Sequence, residues 1–306
     1  MRRPLRPWAI RTILVLDVLG MVLLVGVLGV SWKAGQDLIH PQRDLNPATP
    51  SSIGLDWSWG NTTTSDGIAL AAWWMPADST PGNNITFVFL HGYGDAKAQG
   101  LEVFPLLHRL GNVYAFDFRA HGASGGSYTT AGKLEVADVQ AALGWINARQ
   151  PQPSRIVLLG WSMGGATALN WLGQWGDLAP TFGVRGAITD GAFSRLTRIV
   201  ETSIGKFTGL PQWPFGVLAT GMAGWSIGER LEENAPFEVI RRYHGPLLLI
   251  QGSADTTVTP EQVDALAGAA KQATVWKVPG AAHVESLKTD PVGYEAHLRQ
   301  FVAGLP

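Results

Sequence analysis

The longest apolar run in the chain extends from Thr12 to Val30 and is interrupted by a single charged residue, Asp17. An α-helix rises about 1.5 Å per residue, so this run would span roughly 28 Å, close to the thickness of a bilayer core. Asp17 lies near the start of the run, where a carboxylate reaches water and headgroups more easily than at the membrane centre. The pattern predicts a transmembrane helix over residues 12–30.

The charges around this run favour one orientation. Four arginines precede it, whereas Lys33 follows it. By the positive-inside rule, residues 1–11 are expected to be a cytoplasmic basic N-terminus and the rest of the chain extracytoplasmic, with the run as a signal anchor. A cleaved signal peptide, which would release the chain, and a buried core helix are the alternatives; the run is longer than a usual signal core and no A-x-A site follows it. Residues 31–54, rich in Pro and polar residues, are expected to form a linker.

From Leu55 onward, short β-branched or aromatic runs alternate with segments of helical periodicity. The predicted strands are Leu55–Trp59, Ile68–Met75, Ile85–Leu90, Val113–Phe118, Ile156–Leu159, Gly186–Thr189, Leu247–Gln251 and Thr274–Val278. The predicted helices are Gly100–Leu110, Leu134–Arg149, Met163–Trp175, Pro260–Gln272 and Pro291–Val302. This alternation predicts an α/β domain over residues 55–306, with a mainly parallel sheet of about eight strands and helices on both faces.

Residues 193–243 interrupt the alternation, because they have helical character and no convincing strand. They carry large apolar side chains of the kind that line substrate pockets: Trp213, Phe215, Met222 and Trp225. We therefore expect a helical cap over a cleft, lined in part by these residues. The alternative is that they pack the insertion onto the body of the domain, as most buried aromatic residues do.

Composition excludes several classes of function. The 306 residues contain no Cys, which rules out disulfides, thiolate metal sites and a cysteine nucleophile. The 23 Lys and Arg residues nearly balance the 24 Asp and Glu residues, and five of the cations lie within residues 1–33, so the body of the chain is mildly acidic. A nucleic-acid partner is therefore not expected. No metalloprotease helix or Walker loop is present, so no metal or nucleotide cofactor is expected either.

Three segments match Gly-x-Ser-x-Gly, around Ser124, Ser162 and Ser226. In a nucleophile elbow this pattern follows a buried strand and opens a helix, because the serine stands on a strained turn where larger neighbours would clash. Only Ser162 meets both conditions, since an apolar run precedes it and a helix of small residues begins at Met163. The context therefore predicts Ser162 as a nucleophile.

A serine nucleophile needs a histidine base and an acid that orients the imidazole. In the chain order Ser, acid, His, the base is His244, His283 or His297. His283 is favoured, because it follows the last predicted strand after a short loop. Two aspartates end strands before it, and we favour Asp255 as the acid over its competitor Asp190, which lies further from His283 along the chain.

Attack on a carbonyl creates an oxyanion that needs prealigned backbone N–H donors. Met163, directly after the nucleophile, is expected to supply one. The second is expected from the glycine-rich loop after Ile85–Leu90, where the Tyr93 amide is favoured. His91 in the same loop is expected to brace the turn rather than to act as a base.

These motifs, in this order, resemble the α/β-hydrolase superfamily. They are HGYG at 91–94, DFRAHGASG at 117–125, GWSMGG at 160–165, GSAD at 252–255 and AH at 282–283. With SDGIAL at 65–70, the chain looks most like the membrane-anchored subgroup related to monoacylglycerol lipases and serine aminopeptidase-like hydrolases. It departs from the family at Ala120, where glycine is usual.

The resemblance implies a serine hydrolase that cleaves carboxylic esters through an acyl-serine intermediate. It implies a triad of Ser162, Asp255 and His283, an oxyanion hole from Tyr93 and Met163, and no cofactor. The expected partners are a small-molecule or lipid-like acyl substrate and the membrane, and the oligomeric state is left open. A serine peptidase with the same triad and a non-catalytic binding module on a hydrolase fold are the alternatives.

Overall fold

The computed structural model describes residues 6–77, 85–149, 155–209, 211–233 and 235–306. Its strands are β1 (Ser58–Trp59), β2 (Thr62–Thr63), β3 (Ala69–Leu70), β4 (Ala72–Met75), β5 (Ile85–Leu90), β6 (Asn112–Phe116), β7 (Arg155–Trp161), β8 (Val184–Asp190), β9 (Leu247–Gly252) and β10 (Ala273–Val278). Its helices are α1 (Pro7–Ile39), α2 (Phe104–His108), α3 (Glu135–Asn147), α4 (Met163–Trp175), α5 (Leu196–Thr208), α6 (Gln212–Ile227), α7 (Pro236–Val239), α8 (Pro260–Ala269), α9 (Ser286–Thr289) and α10 (Pro291–Ala303).

Eight of the strands form one sheet, in the order β1-β4-β6-β5-β7-β8-β9-β10. The six strands from β6 to β10 in that order are parallel, and β4 and β1 extend the sheet as an antiparallel edge. β2 and β3 pair in a separate ribbon. The structure is therefore the predicted α/β-hydrolase fold with a mainly parallel eight-stranded sheet.

Both faces of the sheet are buried. Along β5, Val88 and Leu90 belong to a cluster with residues of α3, α4 and α8, whereas Phe87 and Phe89 belong to one with residues of α2 and α10. Strands covered on both sides consist of continuous apolar residues rather than alternating ones. This burial explains why the central strands were visible in the sequence as short apolar runs.

Two predicted elements are split in the structure. The strand predicted over Ile68–Met75 is divided at Ala71, whose N–H donates to Ser124 Oγ at 2.9 Å and whose carbonyl accepts the Asp117 N–H at 2.9 Å. The helix predicted over Gly100–Leu110 becomes a 3₁₀ segment, Lys97–Glu102, followed by α2. Pro105 lies in the first turn of α2, where its missing N–H is tolerated.

The site is positioned by the reversal of strand order at β5. The chain adds β6 on one side of β5 and then crosses to add β7 on the other side. The loops after β5 and β7 therefore diverge, and they leave a crevice at the carboxyl ends of the strands, where α/β sheets bind ligands. Ser162 follows β7 directly, and residues 91–95 follow β5.

α1 is long and apolar enough to cross a membrane. It does not end at Val30, however, but continues to Ile39, two residues before Pro41, the first proline after the apolar run. Gly35 packs against α6 so closely that a Cβ there would lie 2.6 Å from the Ala219 carbonyl oxygen. Residues 31–39 of the expected linker are thus the docked end of a helix.

The rest of the expected linker is also held on the domain. The Arg43 guanidinium donates to a row of backbone carbonyls, those of His121, Gly122, Ser124 and Gly126. The His40 ring pairs with the Ser127 carbonyl at 2.8 Å. A 3₁₀ turn, Pro50–Ile53, then leads into β1. These contacts replace the free tether that the proline-rich composition predicted.

Candidate active site

Ser162 stands on a sharp turn between β7 and α4. Its backbone has φ +51° and ψ −113°, a conformation that non-glycine residues seldom adopt. A Cβ on Gly164 would lie 2.0 Å from the Leu90 carbonyl oxygen, and one on Gly160 would lie 2.4 Å from the Gly164 carbonyl carbon. The two glycines of the motif are therefore needed for the close approach of α4 to the sheet.

The structure brings Ser162, His283 and Asp255 together in one hydrogen-bonded chain. Ser162 Oγ lies 2.9 Å from His283 Nε2, and His283 Nδ1 lies 2.7 Å from Asp255 Oδ2. An ionised carboxylate can only accept, so Nδ1 carries the proton and Nε2 is free to accept one from the serine hydroxyl. This is the arrangement in which a histidine can activate a serine.

Asp255 is held by partners beyond the histidine. It is 3% exposed, and its Oδ1 accepts the N–H groups of Thr257 and Val258 at 2.8 and 2.9 Å. Gln251 Nε2 donates to Asp255 Oδ2 at 3.1 Å and to the Val258 carbonyl at 2.8 Å. Sequence reasoning missed Gln251, although a buried amide at the end of the apolar run Leu247–Ile250 was a signal of it.

Asp190, the competing acid, lies beside the triad but is not bonded to His283. Its backbone carbonyl accepts the Ser162 N–H, and its Oδ1 accepts the Ser286 hydroxyl, both at 2.9 Å. Its Oδ2 has no hydrogen-bond partner among the described residues. The side chain is 1% exposed, and this burial raises the pKa of Asp190 to about 7. Asp190 therefore supports the elbow rather than the imidazole.

The other candidate serines and histidines are occupied elsewhere. Ser124 Oγ donates to the Asp117 carbonyl, and Ser226 Oγ donates to the Ala223 carbonyl near the end of α6. His244 pairs with Asp177 at 2.7 Å on the surface, and His297 stacks on Trp276. Among the residues described here, no group of three or more His, Asp or Glu side chains is arranged to hold a metal ion.

Met163 and Tyr93, the two predicted oxyanion donors, border the same cleft as Ser162. His91 braces the loop that carries Tyr93: its Nε2 accepts the Phe118 N–H at 2.9 Å, and its Nδ1 donates to the Gly92 carbonyl at 2.7 Å. Burial lowers the pKa of His91 well below its usual value, so the ring stays neutral.

Ala120 stands where the resemblance to α/β hydrolases leads us to expect glycine. Its φ is +60°, in the left-handed region that favours glycine. Its N–H donates to the Gly125 carbonyl at 2.8 Å, which closes the loop before His121. The substitution therefore costs local backbone strain without touching the triad.

The cleft in front of Ser162 has a volume of about 1040 Å³. Apolar side chains of the insertion that line it are Phe193, Leu196, Ile199, Val200 and Ile204. The prediction that residues of α6 line the cleft is wrong for Trp213 and Trp225, which are 74% and 79% exposed. It is also wrong for Phe215, which is buried in the core. The insertion covers the cleft with α5.

The cleft has a further wall that the sequence did not predict, the end of α1. Lys33, Ala34, Asp37 and Leu38 line it together with Ser162 and His283. The Tyr93 hydroxyl donates to the Asp37 carbonyl at 2.5 Å, so the loop after β5 is tied to this helix. Burial raises the pKa of Tyr93, so the phenol remains a donor.

Known proteins similar to this chain share its fold. The model of the alpha/beta hydrolase family matches residues 87–293. The uncharacterized protein YfhR of Escherichia coli (strain K12) is 28% identical over 230 residues, which cover 73% of this chain and 72% of YfhR. The uncharacterized protein Rv2307c of Mycobacterium tuberculosis (strain ATCC 25618 / H37Rv) is 27% identical over 277 residues, 88% of each chain.

Solved esterases superpose on the structure. Esterase Pf2001 of Pyrococcus furiosus has a TM-score of 0.70 and 27% identity, and the match covers 87% of this chain and 99% of the esterase. Esterase RhEst1 of Rhodococcus sp. ECU1013 has a TM-score of 0.57 and 20% identity over 81% of this chain and 100% of its own, a likeness of fold. With the family model covering most of the domain, the chain belongs to the alpha/beta hydrolase family.

Proposed function

We propose that the protein is a serine hydrolase that cleaves carboxylic esters through an acyl-enzyme on Ser162. The observation that carries this proposal is the hydrogen-bonded chain Ser162–His283–Asp255, with contacts of 2.9 and 2.7 Å, beside a large cleft that Ser162 and His283 line. The structural likeness to esterase Pf2001 supports ester cleavage as the reaction class.

In the first step, Ser162 Oγ attacks the ester carbonyl carbon while His283 Nε2 takes the hydroxyl proton. Asp255 holds the Nδ1 proton and stabilises the imidazolium that forms. The oxyanion accepts hydrogen bonds from the backbone N–H groups of Met163 and Tyr93. His283 then gives its proton to the departing alcohol, and the ester bond breaks to leave acyl-Ser162. In the second step His283 deprotonates a water that attacks the acyl carbon, which releases the acid and restores the serine.

Esters with an apolar acyl chain fit this cleft best. Its lining includes the apolar side chains of α5 and only a few charged groups, so an acyl chain can be buried without stranding a polar atom. A substrate with a charged amine would need a free carboxylate in the cleft, and the two described carboxylates that line it are already paired, Asp37 with Lys33 at 2.7 Å and Asp95 Oδ2 with Gln99 Nε2 at 2.7 Å. The exposed apolar surface of α1 supports a site where lipid-like substrates are present.

We further propose that α1 is a single-pass signal anchor. Large apolar side chains from Ile10 to Val25 are exposed in the part of the chain that the structure describes, as expected of a lipid-facing helix. The arginines before the span favour a cytoplasmic N-terminus and an extracytoplasmic catalytic domain. Protease digestion of right-side-out membrane vesicles would test this orientation. A catalytic domain on the cytoplasmic side would resist digestion.

The catalytic proposal is tested by labelling the detergent-solubilised full chain with an alkyl fluorophosphonate, followed by peptide mass spectrometry. We expect an adduct on Ser162, no adduct in Ser162→Ala, and normal labelling in Ser226→Ala, which alters a serine in the same sequence motif. Nitrophenyl esters and aminoacyl nitroanilides then separate an esterase from a peptidase. A folded protein that neither labels nor cleaves any ester would contradict the proposal.

A further inference from the structure

The last two turns of α1 continue the predicted membrane helix and also form part of the wall of the cleft. Ala34 and Leu38 are four residues apart, so they lie on one face of the helix, one above the other. Both are partly buried, both line the cleft, and both pack against the main core cluster. The helix predicted as a membrane span thus continues directly into the wall of the active site.

This wall is held in place by contacts on the other sides of the helix. Gly35 lies against Ala219 and Ala223 of α6, and Gln36 Nε2 donates to Ser226 Oγ at 3.2 Å. On the cleft side, the Asp37 carbonyl accepts the Tyr93 hydroxyl at 2.5 Å. Because α6 and the loop after β5 both hold the helix, the face with Ala34 and Leu38 keeps a defined position relative to Ser162.

A second set of apolar side chains in the cleft comes from the insertion. α5 contributes Leu196, Ile199, Val200 and Ile204 to the lining of the cleft, which Ser162 also lines. Apolar residues of two helices in one cleft with a nucleophile make a channel suited to a flexible hydrocarbon chain. Each methylene buried there would change affinity by about fourfold.

We propose that Ala34 and Leu38 are specificity-determining residues that contact the acyl chain of the substrate. The apolar N-terminal helix is then part of the substrate-binding site as well as an anchor. The inference rests on the proposed function and deepens it, because it names medium- to long-chain acyl esters as the substrate class. It also means that removal of α1 as a signal peptide would open the site.

The test measures labelling rates of the detergent-solubilised full chain with two alkyl fluorophosphonates, one with a methyl and one with a dodecyl group on phosphorus. Ala34→Phe and Leu38→Phe place an aromatic ring in the channel. We expect both to slow dodecyl labelling at least about tenfold, the equivalent of roughly two methylenes, and methyl labelling less than about twofold. Ala34→Leu, a milder change, is expected to give a smaller selective loss and covers the case in which a phenylalanine variant misfolds.

The matched control is Leu45→Phe, because Leu45 is 72% exposed and lies in the following segment outside the cleft. It is expected to label both probes like the wild type. Dodecyl labelling unchanged in the α1 variants, or slowed equally with methyl labelling, would overturn the inference while leaving the serine hydrolase intact. Failure of the wild type to label with either probe would overturn the proposed function and, with it, this inference.

Discussion

At the scale of single residues, the site depends on how closely two backbones approach. Ser162 is held at positive φ because α4 begins immediately beneath the carbonyl ends of β5 and β7. Only glycine allows that approach at position 164, where any Cβ would meet the Leu90 carbonyl. The strain at the serine is therefore maintained by packing on the far side of the turn.

A Gly164→Ala substitution is expected to inactivate the protein. The methyl group would lie 2.0 Å from a backbone oxygen in the centre of the sheet, so either α4 or β5 must move. We expect a loss of at least about 3 kcal/mol in stability and no detectable fluorophosphonate adduct. Thermal unfolding and labelling check this, with Gly144→Ala as control, since a Cβ there meets nothing within 4 Å. Wild-type labelling of Gly164→Ala would contradict the packing argument.

Asp190→Asn is expected to stabilise the protein at alkaline pH. Burial raises the pKa of Asp190 from its ordinary value near 3.8 to about 7, so the ionised form is disfavoured in the folded state. The wild type therefore loses stability as pH rises from about 4 to 7, by about 4 kcal/mol at most, and loses no more above that. The amide can still accept from Ser286 but does not ionise.

Urea unfolding of wild type and Asp190→Asn between pH 4 and pH 8 measures this difference. The free energy of unfolding of the variant should rise relative to that of the wild type as the pH increases. The two values should be most similar at pH 4. A stability difference that does not change with pH would show that Asp190 is not the group responsible.

The residues of the site that sequence reasoning found share a position in a motif. Ser162, His283 and Asp255 each follow a strand, and this context together with the chain order Ser, acid, His separates them from their competitors. Gln251 was missed because its role depends on the fold of the turn at Val258, a contact across a loop that no periodicity reports. Which of Asp255 and Asp190 bonds to His283 likewise depends on the direction of their side chains at the carboxyl ends of the strands, which the sequence does not report.

At the scale of elements, the central strands were predicted well and the edges poorly. Buried strands such as β5 and β7 are short continuous apolar runs, and this property is local in the sequence. β2 has two residues, and the break between β3 and β4 is produced by hydrogen bonds from residues some fifty positions away. The end of α1 was also missed, since its last turns are stabilised by α6 rather than by their own apolar periodicity.

Gly35→Leu is expected to separate α1 from α6. A side chain at that position would overlap the Ala219 carbonyl, at 2.6 Å from the Cβ, and would also press on Ala223. We expect a lower melting temperature in detergent and faster tryptic cleavage after Lys33, because a loosened helix end exposes its backbone to the protease. Gly26→Leu is the matched control, as a Cβ at Gly26 on the same helix meets nothing within 4 Å. Equal cleavage rates in the two variants would argue against a docked helix end.

At the scale of the whole molecule, α1 and the hydrolase domain share one interface. α6 packs against both α1 and α5, so α1 contacts the cap as well as the domain. Arg43 then fastens the chain to the loop that contains Ser124. We therefore expect α1 and the hydrolase domain to unfold together as one cooperative unit. The domain is not expected to move freely on a flexible linker.

Two truncations test this expectation. A variant beginning at Ser31 keeps the cleft wall and Arg43, and we expect it to retain the fold and measurable ester hydrolysis. A variant beginning at Leu55 loses both, and we expect a lower melting temperature and at least about tenfold lower turnover of long-chain esters, because the apolar channel becomes open to water. Equal stability and activity in the two variants would show that residues 31–54 are dispensable.

The docking of residues 31–54 also determines how far the enzyme can reach. If α1 spans the bilayer over residues 12–30, Leu38 stands only about 12 Å along the helix beyond the end of the span. A flexible linker would let Ser162 move through a volume of solution above the membrane. The docked residues 31–54 instead hold Ser162 at a fixed distance from the lipid surface. Encounters with substrate then take place in two dimensions. The hydrolysis rate should accordingly follow the mole fraction of ester in the membrane, and should fall when inert lipid dilutes that ester at constant bulk concentration.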